Sequence, residues 1–358
     1  MNTEWTFDNC VRLHIELSSY CNAACLVCPR YQGSSRKLNP NVELSMMSID
    51  QFKKYFPPYI IIRMREIMFC GTHGDPGTCK DLVEILDYIY SVNKKVNIMI
   101  STNGGIRTTE FWHEVGKISA QYPLQVYFNF DGLEDTNHLY RRNVVWKKAF
   151  GNAKSFISAG GKAVWVYLVF EHNKHQKEKA VEMCKEHGFI CINFKEPYGF
   201  REEPTTSPYI VAYDQHGNKE YIIYKQSEKQ INKNIPIYDE SMNYGFDTEL
   251  KFSNKKNDWG EFKEIEDKKI ICNMHRENFS EIYISANGIV IPCCYLAAYE
   301  QPLQIKNSAI TEQIYKILFN NRDKLNLNKV SLQEVLESGI LNKLFTEKWE
   351  LKTFEEGK

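Results

Sequence analysis

A chain of 358 residues with 45 Lys+Arg against 45 Asp+Glu carries no global basic excess that would argue for nucleic acid, which is not the expected partner, though charge balance leaves room for a local patch. Met1 to Asn9 has neither an apolar stretch nor a basic lead, and no window approaches the roughly 18 uninterrupted apolar residues of a membrane span; the expectation is a cytoplasmic protein with no membrane partner. The length suffices for one large α/β domain and a smaller one, and eleven cysteines in such a setting are expected as metal ligands and buried thiols rather than disulfides.

Val11 to Leu17 alternates around β-branched and aliphatic residues before Ser18-Ser19, predicting a first strand that delivers the loop Cys21-Asn22-Ala23-Ala24-Cys25-Leu26-Val27-Cys28. Three thiolates this close on one loop can hold three corners of a cubane iron–sulfur cluster and leave its fourth iron without a protein ligand. A structural zinc site, which ordinarily takes a fourth Cys or His nearby, and three unrelated buried thiols are the alternatives.

Ser48-Ile49-Asp50-Gln51 has the form of a capping box and predicts a helix to about Phe56. Glu66 to Cys70 is a second strand, ending in Gly71-Thr72-His73-Gly74-Asp75-Pro76, and the helix Lys80 to Val92 sets Leu82, Ile85, Leu86 and Ile89 on one face. The pattern repeats through strand Val96 to Ser101, helix Thr109 to Ser119, strand Gln125 to Phe130, helix Val145 to Ala159, strand Ala163 to Phe170, helix Lys177 to His187 and strand Phe189 to Phe194. Such alternation with short connections predicts parallel strands and right-handed crossovers, with ligands at the strands' C-terminal ends. The cysteine loop, Gly71 to Pro76, Thr102-Asn103-Gly104 and Asp131-Gly132 all fall there.

From Lys195 to Lys269 the chain turns polar and aromatic. A hairpin is expected from Tyr209 to Tyr213, through Gln215-His216-Gly217-Asn218, and back along Tyr221 to Tyr224; Lys225 to Asn234 and Asn254 to Lys269 read as linker or surface loops. This segment is either a cover over the mouth of the barrel or surface decoration. The last section opens at Cys272 and has strand Glu281 to Ser285, the turn Ala286-Asn287-Gly288, and strand Ile289 to Ile291 running into Pro292-Cys293-Cys294. Helices near Glu312 to Phe319 and Ser331 to Leu344 follow. The chain thus divides into residues 1–195, 196–270 and 271–358.

With these residues in place, the C-x3-C-x2-C loop resembles the signature of the radical S-adenosylmethionine (SAM) superfamily, and nearly the whole chain apart from the insertion resembles such an enzyme with a C-terminal twitch or SPASM-like domain. The resemblance implies an α/β fold, a partial (β/α)6 barrel with a small C-terminal domain of β-hairpin and helices. It also implies a [4Fe–4S] cluster on Cys21, Cys25 and Cys28 whose free iron chelates the amino and carboxylate groups of SAM. An electron from the cluster then gives methionine and a 5′-deoxyadenosyl radical that abstracts hydrogen from a substrate.

His73-Gly74-Asp75-Pro76 stands where the family has Gly-Gly-Glu-Pro, whose backbone carbonyls meet the SAM amino group; His for Gly and Asp for Glu are departures, and a backbone contact survives them. Asn103 matches the family's Thr-Asn-Gly near the SAM ribose and carboxylate, with a turn Asn as the alternative. Asp131-Gly132, His138 and Tyr140-Arg141-Arg142 resemble the fourth-strand signature, in which Arg141 takes the SAM carboxylate; an exposed ion pair is the alternative. Asn173 falls in the region that contacts the adenosine. Val27 replaces a common aromatic, keeping an apolar contact with the adenine but no stacking.

Cys272-x15-Gly288-x4-Cys293 matches the opening of the twitch and SPASM pattern for an auxiliary cluster. No cysteine follows Cys294, so Cys294, His275 or Cys191 would complete the set, or the auxiliary cluster is absent or solvent-ligated. Cys10, Cys70, Cys79 and Cys184 are expected as buried thiols. The implied partners are a small-molecule or peptide substrate and an electron donor such as flavodoxin or ferredoxin. A peptide-modifying maturase and a catalytically silent iron–sulfur binding protein are the competing readings.

Overall fold

Alternation along the first strand decides which way the whole sheet faces. In the computed structural model, which describes residues 5–197, 201–203, 206–226, 233–237, 275–276, 279–297 and 316–346, strand β1 (Cys10–Ile15) turns Leu13 and Ile15, and beyond it Leu17, into the core. Arg12, His14 and Glu16 take the opposite face. Strands β2 (Glu66–Phe69), β3 (Asn97–Thr102), β4 (Leu124–Asn129), β5 (Lys162–Leu168) and β6 (Cys191–Lys195) continue the sheet in the order β6-β5-β4-β3-β2-β1, every pair parallel. This is the strand–helix alternation expected of the first 195 residues, in a mixed α/β chain.

Helices cover the core face. The helix Ile49–Tyr55 starts at the expected Ser48–Gln51 capping box, and Leu82–Val92 buries Leu82, Ile85, Leu86 and Ile89 completely. The helices Thr109–Gln121 and Trp146–Ser158 pack on β4 and β5, where Phe128, Phe130, Phe150, Phe156 and Trp165 form a connected set of ring contacts. Each such ring fully buried contributes roughly 1.5–3 kcal/mol. Lys177–His187 ends at Gly188 in the left-handed region, and the Gly188 and Phe189 N–H groups both donate to the Cys184 carbonyl. That cap consumes Phe189, so β6 begins at Cys191 rather than at Phe189 as the sequence suggested.

Beyond β6, β7 (Arg201–Glu203), β8 (Thr206–Tyr213) and β9 (Lys219–Tyr224) make a separate antiparallel sheet, β8 and β9 being the expected hairpin. Strand β10 (Lys233–Pro236) pairs antiparallel with β6, where the sequence suggested linker up to Asn234; Pro236 is tolerated because β10 is an edge strand. At the other edge, β12 (Phe279–Ile284) pairs parallel with β1, and β11 (His275–Arg276) and β13 (Val290–Ile291) pair with β12. The C-terminal hairpin is therefore built onto the main sheet. The helix expected from Ser331 to Leu344 is two helices, Leu332–Glu337 and Ile340–Thr346, because Gly339 lies between them at φ +71°. Among the described residues no helix is long and apolar enough to cross a membrane. Cys272, Asn254 to Lys269 and most of the helix expected near Glu312 lie outside the described residues.

The two central helices cross closely at Gly116, where a Cβ would stand 2.3 Å from the Phe156 carbonyl oxygen. Gly116→Ala gains about 1 kcal/mol of helix propensity, but a clash with backbone cannot be relieved by a rotamer and costs typically 1–3 kcal/mol. The expected outcome in urea unfolding is a net loss of stability; a variant as stable as wild type or more so would contradict this packing.

Candidate functional site

The sequence motifs meet at the C-terminal ends of β1 to β5, and Asp75 is where they join. The first residue past Gly74, it is buried and opens the 3-10 turn Pro76–Thr78, accepting the Gly77 N–H at 2.9 Å. It also accepts the Thr102 hydroxyl (2.8 Å), the Asn103 N–H (2.8 Å) and the Asn103 side-chain amide (2.8 Å) from the end of β3. Burial pushes its carboxyl up, and the donors from Asn103, Gly77 and Thr102 oppose that. Asn103 Nδ2 reaches further, to Asn22 Oδ1 at 2.9 Å and Cys21 Sγ at 3.6 Å, so one amide touches both the turn after β2 and the cysteine loop.

Gly74 is required by close approach. A Cβ there would stand 1.8 Å from the Ser18 carbonyl oxygen, because the turn is pressed against the end of β1. The Asp75 N–H donates to the Tyr20 carbonyl (2.9 Å), and the buried Arg30 guanidinium donates to the Ser19 and His73 carbonyls.

Asp131, wholly buried after β4, accepts Arg141 Nε at 2.5 Å and the Leu168 N–H at 2.8 Å. Burial raises its carboxyl, and the Arg141 charge opposes the rise. Arg141 Nη1 then stands 3.5 Å from Cys25 Sγ. Asn173 donates to the Asp131 and Leu168 carbonyls (both 2.9 Å) and accepts the Phe170 N–H (2.7 Å), tying the segments after β4 and β5 together. Val27 is half-buried against the main core.

Cys21, Cys25 and Cys28 are unpaired thiols. Burial pushes all three up, Cys28 to about 12; Asp75 adds to the rise at Cys21, while Arg141 opposes it at Cys25. Thiols so desolvated ionise only against a strong positive centre, as a coordinating metal provides. Among the described residues no three His, Cys, Asp or Glu side chains are drawn together tightly enough for a single ion. The donor set instead suits sulfur-rich ligation: Asn103 and Arg141 present N–H groups to two of the three sulfurs, and the Ala23 N–H donates to Cys21 Sγ at 3.3 Å.

Three residues of this region escaped the sequence reading, and a fourth, Arg142, entered it only as the neighbour of Arg141. Glu16, one residue past β1, accepts the His73 N–H of the turn after β2, Tyr283 of β12 donates to Glu16, and Arg30 clamps the same turn. Arg142, 2 % exposed, donates to the carbonyls of Ala24 (2.9 Å), Ser34 (3.1 Å), Ser35 (2.9 Å) and Tyr213 (2.8 Å) and pairs with Glu220 at 3.3 Å. It fastens the β8–β9 hairpin to the cysteine loop. The only sequence signal was the alternation that sets Glu16 on the polar face with Arg12 and His14, and a doubled Arg for Arg142.

The C-terminal cysteines follow β13. Cys293 and Cys294 stand at the start of the short helix Cys294–Ala297. The Cys294 and Cys70 thiols lie beside His14; burial would lower that imidazole, but these thiols and Glu281 raise it well above its ordinary value. His275 opens β11, and Cys191 opens β6 at the far side of the sheet in strand order.

No family model and no curated protein sequence matches the chain. Among solved structures, the chain is similar to a histidine-tagged anSMEcpe with bound AdoMet at 13% identity and a TM-score of 0.52, over 95% of this chain and 81% of that one. It is also similar to Streptococcus suis SuiB bound to S-adenosylmethionine at 14% identity and a TM-score of 0.48, over 85% of this chain, and it spans 64% of SuiB. Methylornithine synthase (PylB) matches at 10% identity and a TM-score of 0.39, over 52% of this chain and 54% of that one. The chain shares the fold of anSMEcpe, a mixed α/β arrangement around a large, mostly parallel sheet.

Proposed function

We propose that the chain is a radical SAM enzyme acting on a small-molecule or peptide substrate, with residues 1–195 as its catalytic barrel, 196–270 as a cover and 271–358 as a twitch-like domain. The supporting observation is the contact of Asn103 with Cys21 and of Arg141 with Cys25 at the strand ends, on the loop that also carries Cys28. Cys21, Cys25 and Cys28 would hold a [4Fe–4S] cluster. When bound there with SAM and reduced by a donor such as flavodoxin or ferredoxin, the cluster supplies the electron that yields a 5′-deoxyadenosyl radical.

The protein's own part is binding and orientation. Arg141, already aligned by Asp131, offers its guanidinium to the SAM carboxylate. Asn103 is held by Asp75 beside the ribose, Gly74 offers its backbone carbonyl to the amino group while that of Asp75 already accepts the Thr78 N–H and hydroxyl, and Pro76 stiffens the exit of that turn. Val27 packs on the adenine, and Asp131 and Asn173 shape the adenosine side. Arg142 keeps the hairpin over the loop and so limits access of water and oxygen. Cys272, Cys293 and Cys294 are the proposed ligands of an auxiliary cluster.

Replacing Cys21, Cys25 and Cys28 together by Ala is expected to remove one cluster's worth of iron and to abolish 5′-deoxyadenosine formation from SAM and dithionite under anaerobic conditions. Unchanged production would contradict the assignment. In the same variant, iron and sulfide analysis reads the C-terminal section: about four irons left would indicate a second cubane, and none left would count against Cys272, Cys293 and Cys294 as ligands.

Arg141 is tested with its counter-charge removed, because Arg141→Ala alone leaves Asp131 buried and unpaired. The Asp131→Asn, Arg141→Ala double variant is expected to bind SAM roughly 1.5–3 kcal/mol more weakly, the scale of a hydrogen bond to a charged group. Affinity within twofold of the Asp131→Asn single variant, by equilibrium dialysis on the reconstituted proteins, would exclude the carboxylate role.

A further inference from the structure

A buried carboxylate that SAM binding itself leaves unused stands between β1 and the turn after β2. Glu16 follows Arg12 and His14 on the inner face and is 2 % exposed. Its Oε1 accepts the His73 and Gly74 N–H groups at 2.7 and 2.8 Å, its Oε2 accepts the Tyr283 hydroxyl at 2.7 Å, and His73 Nδ1 lies 3.9 Å from Oε2. Tyr283 is itself buried and belongs to β12, where the register with β1 sets it beside His14.

A carboxylate taken out of water costs several kcal/mol unless its lone pairs are met. Here they are met by the turn and by the C-terminal strand. Two successive amides on one oxygen fix the planes of two peptide units, so the backbone enters Gly74 in a set orientation, with the His73 carbonyl aimed away from Glu16 and met by Arg30. The turn has no room to settle elsewhere: a Cβ on Gly71 would stand 2.7 Å from Glu16 Oε1, and one on Gly74 would strike the Ser18 carbonyl. Burial alone would push the Glu16 carboxyl up, but the His73 imidazole and N–H and the Tyr283 hydroxyl hold it below its ordinary value, so it accepts as a carboxylate.

We infer that Glu16 and Tyr283 are positioning residues for the SAM-binding turn, and that β12, which lies outside the six-strand barrel, is through them a working part of the SAM site. The inference rests on the proposed SAM reading of that turn. Tyr283→Phe removes one oxygen and keeps the ring, which makes it the informative variant.

In the cluster-free protein, hydrogen–deuterium exchange at the His73 and Gly74 amides is expected to be faster in Tyr283→Phe than in wild type, since the carboxylate then loses its anchor. In the reconstituted, dithionite-reduced protein, the electron paramagnetic resonance spectrum without SAM is expected to match wild type, while the SAM concentration that half-converts the spectrum rises roughly tenfold, within the range of a hydrogen bond to a charged group. Tyr90→Phe, which loses a part-buried bond to the Pro123 carbonyl, is the control and is expected to leave both readouts unchanged. Unchanged exchange and half-conversion within twofold of wild type would overturn the inference, as would a SAM-free spectrum already altered in Tyr283→Phe. A wild-type spectrum that SAM does not change at all would instead overturn the SAM reading of the site.

Discussion

The charge on Asp75 is the constraint on which the geometry of the strand ends depends. Nothing about a Gly-Asp-Pro turn alone gives it a position, and its own 3-10 turn supplies only one donor. The remaining donors come from Thr102 and Asn103, and a buried carboxylate with those donors missing would be strongly destabilising. The turn after β2 and the end of β3 are therefore locked to each other, and Asn103 passes the constraint on to Asn22 and Cys21. An Asp suits this arrangement, since its short side chain keeps the carboxylate within reach of its own backbone two residues on.

A second layer of buried charge surrounds that hub. Arg12 lies between Glu66 (3.2 Å) and Glu281 (2.7 Å), joining β1, β2 and β12 on the inner face; burial raises the Glu66 carboxyl, Arg12 opposes it, and the nearby Glu281 adds to it. Arg142 does the equivalent on the outside of the loop. Its planar donors meet carbonyls from the loop, its extension and the hairpin at once, a geometry that a lysine ammonium would not reproduce. Of the elements outside the strands β1 to β6, the β8–β9 hairpin is thus attached to the cysteine loop, and β12 to β1 and β2.

How much of this was legible in the sequence follows from the range of each interaction. The six parallel strands and their helices declare themselves through local periodicity, as in Leu82, Ile85, Leu86 and Ile89, and the cysteine loop through spacing alone. The Ser48–Gln51 capping box is a signal contained in four residues. By contrast, the pairing of β12 with β1 joins segments at opposite ends of the chain, and an apolar strand followed by Asn-Gly looks the same whether its hairpin stands alone or joins a larger sheet. Glu16 and Tyr283 acquire meaning only once that pairing exists. The break at Ser338-Gly339 could have been read, since Gly after Ser is a turn signal; the helical period on both sides of it masked the stop.

The central claim is that the loop of Cys21, Cys25 and Cys28 holds a cubane with one iron open to SAM. Mössbauer spectroscopy of the protein reconstituted anaerobically with isotopically enriched iron, recorded with and without SAM, tests it most directly. The account predicts that SAM moves the isomer shift of a single iron site while the thiolate-bound irons keep theirs. Spectra identical with and without SAM would contradict it.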